Sequence, residues 1–277
     1  MAQQLYFSRD TKVFIKKGST VWELPVLDGF SFSQATNSSE ITLAEMESTG
    51  GVSRRGRKQF NDSLAPAEWS FSTYVRPFKS AGASSAGAAV TAKLADSTAN
   101  TVHAVEEVLW ALFSGPAAYT GFTFTDQFTA DTTDLNIDFS ESNKSTLGTA
   151  EIFFVLGNAN KKVYKLTGCV VNEASLDFDI DGIATINWSG MGSEIIDDTA
   201  TGIPVATVAE ALSATNNFIR NRLTTLTVIP TTQNPTGDGS NELESSYALT
   251  LTGGNITMSN NVTFITPEEI GLVNTPI

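Results

Sequence analysis

Residues 68–78 alternate strictly: Trp69, Phe71, Thr73 and Val75 fall on one face of an extended backbone, and Ser70, Ser72, Tyr74 and Arg76 on the other. Side chains in a strand change face at every residue, so this segment must bury one face and leave the other to water. The same pattern recurs at 29–34, where Phe30 and Phe32 alternate with Ser31 and Ser33. The chain is therefore expected to be mainly β. Composition agrees: 41% of the 277 residues are hydrophobic but only 17% are charged. Much of the surface then falls to Thr, Ser and Asn, which favour strands and turns over helices.

Further short β-rich runs lie at 13–17 and 20–24, with 39–46 extending the ladder of 29–34. Residues 48–66 lose all periodicity and carry Gly50, Gly51, Gly56 and Pro66 around Arg54, Arg55, Arg57 and Lys58, which reads as a long, basic, exposed loop. Pro77 is expected to end the 68–78 strand, and the Ala/Ser/Gly tract 80–92 reads as a flexible excursion. One helix is predicted over 102–113, capped by Asn100 or Thr101, with Val102, Val105, Leu109 and Leu112 as its apolar stripe and Gly115 and Pro116 as its stop. Such a lone helix covers a sheet face or the outer side of a barrel.

Strands follow at 150–156, 161–171 and 174–189, the last turning at Asp181-Gly182. A two-residue loop would mix apolar and polar residues on each face of that hairpin. A three-residue loop over 180–182 pairs Asp179 with Ile183, and puts Leu176, Phe178, Ala184, Ile186 and Trp188 on one face against Asp177, Asp179, Thr185 and Asn187. The second register is the expected one. Beyond Gly202 come a short helix at 205–214, a strand near 223–229, a polar linker at 231–246, and β character again at 247–251, 254–258 and 261–265. This length admits one large β domain with appendages or two smaller ones.

The chemistry is mostly exclusion. A net charge of -13 argues against gripping nucleic acid by phosphate neutralisation, though not against a wall past which DNA slides. Cys169 is the only cysteine, so no internal disulfide can form. The single histidine, His103, lies in the predicted helix without G-x-S-x-G or H-E-x-x-H, and phosphate-cradling glycine loops are absent. Asp177, Asp179 and Asp181 open like a calcium loop, but its twelfth position is Trp188 rather than Glu, so no metal is expected. The first ten residues lack a basic start and apolar run, and no stretch is apolar enough for a membrane helix, so a chain made in the cytosol is expected. Asp177 and Asp179 read either as a phosphate-repelling surface or as a solvated strand face. The 54–58 cations read either as a docking element for an acidic partner or as a solvated turn.

The run of residues 25–42, PVLDGFSFSQATNSSEIT, then a long Gly/Arg loop, then residues 68–77, EWSFSTYVRP, resembles the siphophage major tail tube proteins. The order of strand pair, loop, strand, helix and late hairpin matches over most of 1–200. The resemblance implies a β-sandwich-like subunit that donates strands to a continuous barrel around a ring, with rings stacked into a tube that conducts double-stranded DNA. It implies a structural virion protein of the phage tail, with no enzymatic activity and no cofactor. Its partners would be sister copies, six to a ring if the second half is not completed and three if the fold is duplicated, with the tape measure protein and DNA in the lumen. It further implies that Asp177 and Asp179 line the lumen and that Arg54, Arg55, Arg57 and Lys58 reach an adjacent ring. The expected organisation is a tube domain at 1–200, a connecting segment at 201–246, and C-terminal strands at 247–277 that look like the opening of a second tube-type half. Two rivals remain. One is another tail ring, distal or terminator; the other is a sugar-binding β-sandwich exposing Trp69, Trp188 or Tyr74 as stacking platforms.

Overall fold

The computed structural model describes residues 10–18, 20–43, 56–79, 102–114, 128–130, 135–137, 148–157, 161–179, 182–206, 218, 220, 226–228, 246–250 and 252–265. In chain order its elements are β1 (Lys12–Lys17), β2 (Thr20–Leu24), β3 (Ser31–Leu43), β4 (Gly56–Tyr74), β5 (Pro77–Lys79), β6 (Val102–Ala104) and α1 (Glu107–Ser114). Then come β7 (Phe128–Ala130), β8 (Leu135–Ile137), β9 (Ala150–Leu156), β10 (Lys162–Asp179), β11 (Thr185–Gly192), β12 (Glu194–Asp197), β13 (Leu226–Val228), β14 (Tyr247–Leu249) and β15 (Gly253–Ser259). The fold is mainly β with one helix, as the alternation requires.

The strand β10 belongs to two antiparallel sheets. Its first half lies between β9 and β12, extending through β1 to β2; its second half lies between β15 and β11, extending through β4 to β3. The switch occurs where the β9 register shifts between Leu166 and Cys169. Gly168 stands there at φ +57, and a Cβ on it would lie 2.5 Å from Ser193 Oγ. A left-handed backbone without a side chain is what lets the strand turn the corner.

The two sheets enclose the main core. Val13, Ile15, Trp22, Ile152, Phe154 and Leu166 come from the first sheet and meet Trp69, Phe71, Ala174, Ile186 and Trp188 from the second. Helix α1 completes it with Val108, Leu109, Leu112 and Phe113, and its Trp110 stands edge-on to Trp188 at 4.8 Å. Thr73, on the apolar face by alternation, is buried because its hydroxyl accepts from Trp188 Nε1 at 2.9 Å. Gln34 ties the sheets at one edge, donating to the carbonyls of Ala65 (2.9 Å) and Ser193 (3.0 Å) and accepting from Ile195 N (3.0 Å). The outer face of the first sheet is also apolar, where Phe14, Val21, Phe153, Val155 and Val163 meet Ile203 and Ala206.

Several expectations are corrected. The helix begins at Glu107, because residues 102–104 pair with β5 as strand β6, which also removes His103 from the helix. The Glu107 carboxylate reaches back to Ala104 N at 3.4 Å, a capping arrangement at the first turn. Pro77 opens β5 rather than closing the preceding strand, which ends at Tyr74. Residues Lys162–Asp179 form one strand, with irregularities between Leu166 and Cys169 against β9 and between Val171 and Glu173 against β11. From Gly56 onward the supposed loop is strand β4, paired with β3 out to Leu43. Beyond Gln34 neither strand of this ribbon pairs with a further strand among the described residues, so no alternation marks it in the sequence. Positions 205 and 206 are not helical, and 207–214, 80–92 and 231–245 lie outside the described residues.

Glu106, at the helix start, is 2% exposed, and its Oε2 has no hydrogen-bond partner among the described residues. Burial pushes its carboxyl up to about 7, with Glu107 adding to the rise and Arg76 opposing it. The neutral acid is thus the form the fold prefers, and its stabilisation is complete below pH 4.5 and lost as pH rises towards 7. Glu106→Gln should remove this loss: in urea titrations the variant gains on the parent between pH 4.5 and 7.5 by on the order of 3 kcal/mol. A constant difference across that range would contradict the assignment.

Candidate functional site

The second sheet has two unlike faces. Its inner face is core; its outer face carries rows set by the strand registers. One row is Asn255, Asp177, Thr185 and Tyr74; the next is Thr257, Ser175, Asn187 and Ser72; the third is Ser259, Glu173, Ser189, Ser70 and Ser31. Glu68 and Ser33 stand opposite each other beyond these. The hairpin follows the three-residue-loop register: Asp177 faces Thr185 and Leu176 faces Ile186, while 180 and 181 lie outside the described residues. Trp188, Ile186 and Ala184 are buried as that register requires.

Side chains on this face satisfy one another laterally. Asn187 Nδ2 donates to one Asp177 oxygen at 2.5 Å, and Asn255 Nδ2 donates to the other. Ser72 Oγ donates to Asn187 Oδ1 at 2.6 Å, and Thr257 Oγ1 to Asn255 Oδ1 at 2.6 Å. The Ser31 and Ser70 hydroxyls lie 2.8 Å apart. Asp179 accepts from Gly182 N at 2.5 Å, fixing the turn. Segments 31–34, 67–74, 170–179, 185–192 and 253–259 contain no Lys or Arg, and their acids, Glu68, Glu173, Asp177 and Asp179, all fall on the outer face. Amide donors therefore hold Asp177 without cancelling its charge. The result is an extended polar sheet face whose charged residues are all acids; a field of that kind reaches roughly 8 Å at physiological salt.

Of the other expected site residues, Arg57 and Lys58 lie in β4 opposite Thr42 and Ile41. Arg54, Arg55 and Asp181 lie outside the described residues. The two hairpins are thus at different places in the fold, the acids across the sandwich face and the cations along the ribbon. Among the described residues no cluster of His, Cys, Asp or Glu could hold a metal ion, and no helix is long and apolar enough to cross a membrane. Burial pushes the Cys169 thiol far above its ordinary range, leaving it a core residue. Sequence reasoning missed Asn187 and Asn255 as partners of Asp177, since their meeting depends on β15 docking beside β10. The signal that could have found them is the matching alternation of Asn255, Thr257 and Ser259 with apolar Ile256 and Met258.

The chain is 29% identical over 287 residues to the tail tube protein pb6 of Escherichia phage T5, a match that takes in 99% of this chain. A likeness of this extent fits a phage tail tube family. It spans about half the length of that relative, 54%. No family model matches it. Two solved structures from the PVC extracellular contractile injection system in the extended state overlap it weakly. The sheath/tube terminator covers 71% of this chain and 98% of its own at 9% identity and TM-score 0.37. The sheath-tube complex covers 68% and 86% at 10% identity and TM-score 0.36. The mainly β sandwich agrees with the fold expected of a tail tube subunit. The sugar-binding alternative loses two of its three platforms, since Trp69 and Trp188 are 2% and 1% exposed; Tyr74 packs edge-on against Phe218 at 5.2 Å.

If the acid face serves the tail tube and not the fold, removing its central carboxylate should cost little stability. Asp177→Ala is expected to lower stability by about 1 kcal/mol or less, because the released amides remain open to water. A thermal melt checks this; a loss several times larger would make Asp177 a structural residue.

Proposed function

We propose that this chain is a structural subunit of a phage tail tube, assembling with sister copies into stacked rings whose bore passes double-stranded DNA. The observation that carries the reading is the outer face of the second sheet, which over 31–34, 67–74, 170–179, 185–192 and 253–259 is acidic, hydroxyl- and amide-rich, and without Lys or Arg. A conduit must hydrate DNA without holding it, and cationic walls would trap the phosphates. Asp177 and Asp179 would then face the lumen, where the tape measure protein lies before DNA and contacts are not sequence-specific. The β3–β4 ribbon, with Arg57 and Lys58, would reach an adjacent ring, the segment with Arg54 and Arg55 continuing it. A bare two-stranded ribbon is marginal alone and gains stability by docking. The product would reside in the virion tail after synthesis in the host cytoplasm, and would perform no turnover chemistry.

Geometry favours six such sheets to a ring, from six copies of one half or three copies of a duplicated one. Strands β10, β11, β4 and β3 from six copies make a barrel of 24 strands. At about 4.8 Å spacing and about 40° tilt its backbone is about 48 Å across, leaving roughly 38 Å after side chains. Three such sheets would leave roughly 14 Å, little more than the duplex's own major groove of about 12 Å. Closed rotational symmetry would also remove the sheet edges.

Electron microscopy of the purified protein at high concentration should show stacked rings with a central bore. Monomers alone would count against the reading, and single rings without filaments would point to a capping component of the tail. Reversing charge with Asp177→Lys and Asp179→Lys should create duplex DNA binding that weakens steeply with salt, where the parent binds none.

A further inference from the structure

We propose that Gln34 is a positioning residue whose amide sets the angle at which the β3–β4 ribbon leaves the sandwich, and so aims the ribbon at a copy in the adjacent ring. This rests on the tail tube reading and adds the device that directs one of its contacts.

Alternation calls for an apolar residue at 34. Phe30 and Phe32 pack against the core, and Gln34 is the next position on that side, opposite the buried Ala67. A leucine there would extend the core by burying apolar area. The chain instead carries an amide with three bonds, all to backbone: it donates to Ala65 O at 2.9 Å and to Ser193 O at 3.0 Å, and accepts from Ile195 N at 3.0 Å. The bonds to Ser193 and Ile195 are the pair that one residue of a parallel strand would make to the edge of β12. Water would satisfy that edge equally well, so edge satisfaction alone does not account for a polar side chain at a core position. What a fully bonded amide adds is direction.

Its place in the fold says what is being directed. Pairing of β4 with β11 ends at Ala67 opposite Gly192, and from Gln34 outward β3 and β4 pair only with each other among the described residues. Residues 35–38 are exposed, and the register shifts twice there, between Gln34 and Thr36 and between Asn37 and Ser38. Such irregularities bend and twist a ribbon, so its pairing alone sets the angle loosely. Gln34 bonds to β4 at Ala65 and, through Ser193 and Ile195, to the start of β12, which belongs to the other sheet. From Gln34 to Leu43 the ribbon is about 30 Å long at about 3.3 Å per residue. An error at its root of about 20°, the ordinary twist between neighbouring strands, would carry its tip about 10 Å aside, farther than a side-chain contact spans.

The test is Gln34→Leu in the full chain, which keeps the volume and removes all three bonds. Spin labels at Ser38→Cys and Glu194→Cys, both exposed positions, report the ribbon's angle in the unassembled protein; native Cys169 is buried and takes no label. The distance distribution should be narrow with Gln34 and broad with the leucine. Electron microscopy should then show single rings at the parental level, with stacking that needs about tenfold more protein, the ratio for a freed ribbon that holds its docking angle a tenth of the time. Gln34→Glu, whose carboxylate opposes the Ala65 and Ser193 carbonyls, should behave alike and serves if the leucine variant does not fold. An unchanged distance distribution, stacking at the parental level, or loss of rings together with stacks overturns the proposal, as does failure of both variants to fold. A parent chain that forms no rings defeats the tube reading, and the distance distribution alone then decides whether Gln34 orients the ribbon.

Discussion

The bend in β10 is the constraint on which the rest depends. One strand is hydrogen-bonded first into a sheet apolar on both faces and then into a sheet with one core face and one wet face. The change takes place over Gly168, whose left-handed backbone no β-branched residue would adopt without strain, and whose missing side chain leaves room for Ser193. Without that corner the acids of the second half would not lie opposite the core that supports them. The sandwich, the helix that closes it and the outer polar face follow from the one turn.

Charge is divided along the same line. The first sheet carries Lys12, Lys16, Lys162 and Lys165, paired with Glu23, Glu151 and Asp197. Lys162 and Thr199 hold the Asp197 carboxyl down at about 2, an exposed pair that responds to salt. On the second sheet the Asp177 carboxylate is held instead by the amides of Asn187 and Asn255. Ion pairing cancels field, whereas amide donation fixes a carboxylate and leaves its field intact. Asp177 is held the second way, so its negative charge is kept.

Much of this was legible in the sequence, and for a physical reason. Period-two alternation reports one-sided burial, so 29–34 and 68–74 announced their faces, and the hairpin register followed from asking which pairing kept Trp188 and Ile186 together. What was not legible had no one-sided burial to report. The β3–β4 ribbon beyond Gln34 leaves its alternation unread, and its glycines and arginines imitate a loop. The early start predicted for the helix took Val102 and Val105 as members of a stripe whose helical part in fact begins at Val108 and Leu109, because a strand of three residues has too few positions to show its period. The partnership of Asn255 with Asp177 joins residues 78 apart in sequence through a strand pairing that only tertiary structure supplies.

The most direct measurement of the central claim is a density map of the assembled protein, resolved well enough to trace β10 and β11 and to tell their faces apart. The outer face of the second sheet, with Asp177 and Asp179, should point at the tube axis, and the lysine-bearing first sheet should lie away from it. A bore lined by Lys12, Lys16 and Lys165, or a subunit whose second sheet faces the outside of the particle, would contradict it.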